Sequence, residues 1–146
     1  MHRILAVVLA IVCLAGCSEP FIVFSGGRLS GEEATPPEDW SALADEETFQ
    51  LETRPNDPYS VNIWAVGIGR DVYIGTGPDG TRWSEYIDAD PRVRLRVGNT
   101  VYPLLAHAVT DTTERRAVAR RYGDKYGMDQ DENWLQQALV YRLDRR

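Results

Sequence analysis

The side chains able to do chemistry in this chain are few and fall in short clusters. Arg82 and Trp83 open a short helical stretch, where the free N–H groups of a first turn favour an anion. An arginine there either grips such a group or covers a core tryptophan. Trp64, Tyr73, Trp83 and Tyr102 can line a slot for a flat ring, or can simply fill a core. Arg92, Arg94 and Arg96 alternate in RVRLRV and leave one face of a strand about 7 Å apart. Such a row suits phosphate or a polyanionic lipid, or is a solvated face. His107 shares the parity of Leu105 and Val109, and a catalytic histidine needs an orienting carboxylate that the sequence does not identify. Gly75–Gly80 spells GxGxxG, but Pro78 interrupts a phosphate turn and no acid follows about 20 residues on, so a dinucleotide fingerprint is rejected. Asp88/Asp90 and Asp129/Asp131 lack an EF-hand loop and read as helix-end and turn residues.

The elements that must position these groups are mostly strands. Asp39 caps a short helix over 40–46. Thr48–Arg54 alternates and reads as a strand, and Asn56-Asp57-Pro58 is a turn. Ser60–Val66 and Asp71–Thr76 form a hairpin about Gly67–Arg70. A helix over 81–88 is stopped by Pro91. Arg92–Val97 and Thr100–Thr110 are strands joined at Gly98-Asn99, and Asp111 with Glu114 has capping-box spacing for a helix reaching Tyr122, with Val118 and Tyr122 on one face. A helical piece over 132–137 and a last strand over 139–143 complete the order. The expected fold is mainly β with α: about six antiparallel strands closed as a barrel, with two or three short helices at its ends.

The 146 residues suffice for one domain, and 43% hydrophobic with 26% charged residues is globular composition. A net charge of −6 argues against nucleic acid as partner. Two Cys and two His are too few for a zinc cluster or a disulfide framework. The N-terminus carries an address. His2 and Arg3 precede an uncharged apolar run, residues 4–15; as a helix it spans about 18 Å, against about 30 Å of hydrocarbon. That is an export signal rather than a membrane span. Its end, Leu14-Ala15-Gly16-Cys17, resembles the lipobox of bacterial lipoproteins. The resemblance implies cleavage before Cys17, lipidation of its sulfur, and anchorage in the bacterial cell envelope. Ser18 rather than Asp favours the outer membrane where the host has two. On this reading residues 1–16 are a signal peptide, 17–38 a flexible lipidated tether rich in Gly, Pro and acid, and 39–146 the domain. The mature chain then keeps no free thiol and only His107.

One stretch carries a second resemblance. Trp83-Ser84-Glu85-Tyr86-Ile87-Asp88-Ala89-Asp90-Pro91-Arg92-Val93 resembles the W-x-x-N-L-x-A-N-P-x-V segment of the deazaflavin-dependent nitroreductase family. That family belongs to the split β-barrel group that includes pyridoxamine 5′-phosphate oxidase. Ile63-Trp64, the turn Val97–Tyr102 and Val109-Thr110-Asp111 fall where that family has matching features, so the similarity spans roughly 47–126. It implies a split barrel, commonly a homodimer with FMN or the deazaflavin F420 between subunits, and a cofactor-binding set of Arg54, Trp64, Thr76, Arg82 and Trp83, with Arg82 on the phosphate. Two departures stand out. The glycine-containing T-x-G-R-x-S-G segment is replaced by Thr53-Arg54-Pro55-Asn56-Asp57-Pro58, and Tyr86 replaces Asn. The expected function is therefore a lipid-anchored binding or structural module related to flavin-binding proteins; the alternative is an FMN- or F420-dependent oxidoreductase acting on a small molecule.

Overall fold

The computed structural model describes residues 26–43, 49–128 and 136–146. The signal, Cys17, Asp129/Asp131 and most of the helical piece expected over 132–137 lie outside them. Alternating runs make the strands. These are β1 (Glu32–Glu33), β2 (Phe49–Thr53), β3 (Tyr59–Ile63), β4 (Ala65–Ile68), β5 (Asp71–Thr76), β6 (Arg92–Val97), β7 (Thr100–Ala108) and β8 (Leu139–Arg145). The helices are α1 (Arg82–Ala89) and α2 (Thr112–Tyr126), with a 3-10 turn at Trp40–Leu43.

The strands form one curled sheet in the order β3-β2-β6-β7-β8-β5-β4, antiparallel throughout, with β1 added to β7 in parallel. Its two ends are consecutive stretches of one run. Residues 59–63 pair with β2, and after Trp64 residues 65–68 pair with β5. A single alternating run read from sequence thus becomes two strands, which draws the ends of the sheet round into a half-barrel. Side-chain alternation continues through the switch: Ile63 and Ala65 both join the interior, while Trp64 is left outside. The interior is lined by alternate residues of every long strand, among them Phe49, Leu51, Val93, Leu95, Ile74 and Leu143, with Trp83 and Ile87 of α1 as a lid. Burying such side chains is the main stabilising contribution, about 1.5–3 kcal/mol each.

Residues on the opposite parity make a second core. Val66, Tyr73 and Val140 face outward and are covered by Val118 and Tyr122 of α2, the two residues whose spacing pointed to the core. Asp111 caps α2 by accepting the Glu114 N–H at 2.8 Å. Gly67 is required for packing, because a Cβ there would strike the backbone of Trp40, whose own N–H donates to the Gly69 carbonyl at 2.7 Å.

Residues 26–38, expected as part of a flexible tether, form a strap laid across the outer face of β3, β2, β6 and β7. Gly26 exchanges backbone hydrogen bonds with Ser60, Leu29 is buried, and β1 pairs with Thr100 and Val101 of β7 where β8 no longer reaches. The cause lies in arginines distant in sequence. Arg94 and Arg96 donate to the carbonyls of Leu29 and Ser30 at 3.1 and 2.9 Å, and Arg145 donates to those of Pro36 and Pro37.

Candidate functional site

The region implied by the resemblance lies around α1. Thr81 precedes the helix with an extended backbone; its N–H donates to Ser84 Oγ, which donates back to the Thr81 carbonyl, both at 2.8 Å. This link sets the first turn, and Gly80 enters it at φ 71°, a conformation that favours glycine. Arg82 is exposed at the head of the helix, one residue from Trp83, which is only 7% exposed and packs edge-on against Tyr141 at 5.8 Å. Trp83 is thus interior packing. Tyr141 donates to Asp88, and burial together with that carboxylate pushes its phenol up to about 12. At neutral pH it is a hydrogen-bond donor and not a base.

Arg54 follows β2 with φ 56°, the one described non-glycine residue in the left-handed region. Its guanidinium lies 4.6 Å from the centre of the Tyr86 ring, pairs with Asp57, and leaves Tyr86 edge-on to Tyr59 at 5.2 Å. The residue that stands where the family has Asn therefore holds the one basic side chain of the Thr53–Pro58 segment. Thr76 ends β5, half-buried opposite Leu139 of β8.

The four aromatic residues considered for a ring slot are separated. Trp64 is 53% exposed and stacks on Tyr126 at 4.7 Å. Tyr73 belongs to the outer core, Trp83 to the interior, and Tyr102 packs against Trp40 at 5.1 Å. Of the cofactor set, Trp64 stands outside at the strand switch, while Trp83 is carried by α1 into the barrel interior.

The arginine row is engaged by the protein itself, though Arg92 is still 48% exposed. Arg92 binds Asp90 through both carboxylate oxygens and holds that carboxyl down at about 2, chiefly by hydrogen bonds. Arg94 donates to Glu52 at 2.9 Å, and Glu52, only 2% exposed, also accepts the Leu29 N–H at 2.6 Å. Charge-assisted bonds of this kind are what allow a carboxylate to be buried.

His107 does have a carboxylate beside it. Its Nε2 lies 3.5 Å from Asp144, which binds Arg142, which binds Glu114, which accepts the Tyr73 hydroxyl at 2.9 Å. Burial and Glu114 push the Tyr73 phenol up. The partner was not legible because Asp144 is 37 residues away and comes alongside only through the β7–β8 register, where Leu105 faces Asp144. Every other member of this network is paired to its neighbour, so it ties the start of α2 to β8. Among the described residues no group of three or more metal-ligating side chains converges.

This geometry, a half-barrel closed by one switched strand with a helix over its interior, is a split β-barrel. No family model matches the chain, and no curated protein does. Solved structures match the fold. A candidate 5-nitroimidazole antibiotic resistance protein from Bacteroides thetaiotaomicron is similar at a TM-score of 0.56 and 12% identity, over 69% of this chain and 74% of that one. A candidate pyridoxamine 5′-phosphate oxidase from Listeria innocua aligns at 0.54 and 14% identity, over 70% and 86%. An F420-H2-dependent reductase, FDR-A, aligns at 0.55 and 15% identity, over 67% and 94%. At these identities the likeness is one of fold.

Proposed function

We propose that the protein is a lipid-anchored module of the cell envelope, built on the barrel that flavin-binding proteins use and serving to bind rather than to catalyse. The observation that carries this reading is the state of the Thr53–Pro58 segment. Its arginine is occupied by Tyr86 and Asp57, and Asp57 sets a negative charge where the resembled family holds an anionic cofactor tail. The anchor is Cys17, cut free of residues 1–16. The strap joins the barrel at Gly26, which chain length alone keeps within about 30 Å of Cys17. The domain would therefore sit close to its membrane, the outer one where there are two. Cys17→Ser should abolish incorporation of labelled palmitate and release the chain from the membrane fraction; unchanged fractionation and labelling would remove the anchor from this reading.

A second reading, an FMN- or F420-dependent oxidoreductase working as a homodimer, is favoured by the exposed Arg82 at the head of α1 and by the fold shared with FDR-A. Arg82 and the first turn of α1 fit a phosphate; Arg54 and Trp83, engaged as they are, do not fit their share. A bound flavin would itself supply the hydride chemistry. Full-length chain in detergent, titrated separately with FMN and F420, decides between the two. The module reading expects no saturation at millimolar cofactor. Micromolar binding weakened by Arg82→Ala would replace it with the oxidoreductase.

A further inference from the structure

The outer face of β2 and β6 holds a cleft of about 230 Å³ lined by Arg28, Arg92, Arg94, Arg146, Glu33 and Glu52. It lies on the opposite side of the β2–β6 pair from the barrel interior, since Glu52 and Arg94 face each other across the strands while Leu51 and Leu95 point inward. We propose that this cleft is a binding site for a small phosphate-class oxyanion, gripped by Arg28 and Arg146. The inference rests on the binding-module reading and names its ligand class.

The charges divide unevenly. Glu52 already holds two donors, Leu29 N–H and Arg94 Nη1. Arg92 is matched by Asp90. Glu33 approaches Arg94 at 3.7 Å and is 62% exposed, free to turn to solvent. The other two guanidinium groups are held mainly by backbone oxygens. Arg28 donates to the Pro55 carbonyl at 3.1 Å and has the occupied Glu52 only at 3.8 Å; Arg146 donates to the carbonyls of Leu104 and Val93, both at 3.2 Å. Carbonyl partners fix where a guanidinium sits without neutralising it. Two oriented forks at one cleft, with only a longer contact to the already occupied Glu52 for Arg28 and the Arg92-bound Asp90 near Arg146, suit a tetrahedral oxyanion, which can accept from both. The volume sets the size. It falls below the roughly 300 Å³ at which pockets for drug-sized ligands begin, which suits a small oxyanion. The source is either a free phosphate ester or a lipid headgroup, which the short membrane tether would bring within reach.

The test is calorimetric titration of the full chain in detergent with inorganic phosphate at low ionic strength. Saturable binding is expected, weakened about tenfold or more in Arg28→Gln/Arg146→Gln with a cooperative urea transition retained, and unaltered in Arg116→Gln/Arg120→Gln, which removes an equal charge from two exposed positions on α2. Absence of binding, wild-type affinity in Arg28→Gln/Arg146→Gln, or equal weakening by Arg116→Gln/Arg120→Gln overturns the proposal. Recruitment of the Cys17→Ser chain to phosphatidylcholine vesicles containing phosphatidic acid, but not to phosphatidylcholine alone, identifies the headgroup as the source. Phosphate binding without recruitment identifies the free ester. Micromolar flavin binding would overturn the module reading, whereas loss of phosphate binding alone would overturn only the cleft, so the two failures are distinguishable.

Discussion

Arg94→Met should detach the strap from the barrel. The substitution keeps the apolar stem and removes the hydrogen bonds to Glu52 at 2.9 Å and to the Leu29 carbonyl at 3.1 Å. Glu52, 2% exposed, would keep the Leu29 N–H and the distant Arg28 as its donors. Removing one partner of a buried ion pair costs about 3–5 kcal/mol. Arg94 is 17% exposed, and Glu52 retains one good hydrogen bond, so the lower end applies, about 3 kcal/mol. With a urea m-value of about 2 kcal/mol/M, the unfolding midpoint should fall by about 1.5 M. Glu52→Gln/Arg94→Met should recover about 1 kcal/mol over the single variant, because no unmatched charge is then left in the interior. Tryptic cleavage after Arg28 should accelerate in Arg94→Met as the strap loosens. A midpoint within about 0.3 M of wild type, or a double variant no more stable than Arg94→Met, would refute the claim that this pair holds the strap down.

Three further outcomes are expected. Tyr122→Phe removes a hydroxyl that donates to the Trp64 carbonyl at 2.9 Å, beside the strand switch; chemical unfolding should show a loss of about 1–2 kcal/mol. Asp111→Ala deletes the cap of α2 and should cost about 1 kcal/mol by the same assay. Because Asp90 has its pKa lowered to about 2 in the folded protein, its pairing with Arg92 stabilises the fold above about pH 4 and is lost as pH falls through about 2. The melting temperatures of wild type and Arg92→Gln should therefore differ at pH 6 and converge by pH 2, and a constant gap would contradict this.

What could be read from sequence was local. RVRLRV gave its strand to the residue, and the Asp111–Glu114 spacing located the cap of α2, because both patterns are written in consecutive residues. The strap was hidden for the opposite reason. Its Gly, Pro and acid content reads as linker, and what fixes it is the set Arg94, Arg96 and Arg145, 65 to 109 residues away in the bonds they make. The site was legible in part. Arg82 stands exposed at a helix head as expected, whereas the ring slot is not formed: strand parity leaves Trp64 and Tyr73 on the outer side, and Trp83, on α1, packs into the interior. Asp144 beside His107 and the cleft arginines Arg28 and Arg146 were missed, since no spacing rule reports a neighbour created by sheet register.

The place of β8 in the sheet also determines when the chain can finish folding. It is inserted between β5 and β7, which occur much earlier in the sequence, and its pairing closes loops of more than 30 residues. Until residues 139–145 arrive, β4 and β5 form one hairpin and β3, β2, β6 and β7 form a separate ribbon, each with an open edge. A chain emerging N-terminus first would stay unclosed until its last described strand had emerged, and both open edges would be exposed to chaperones and proteases up to that point.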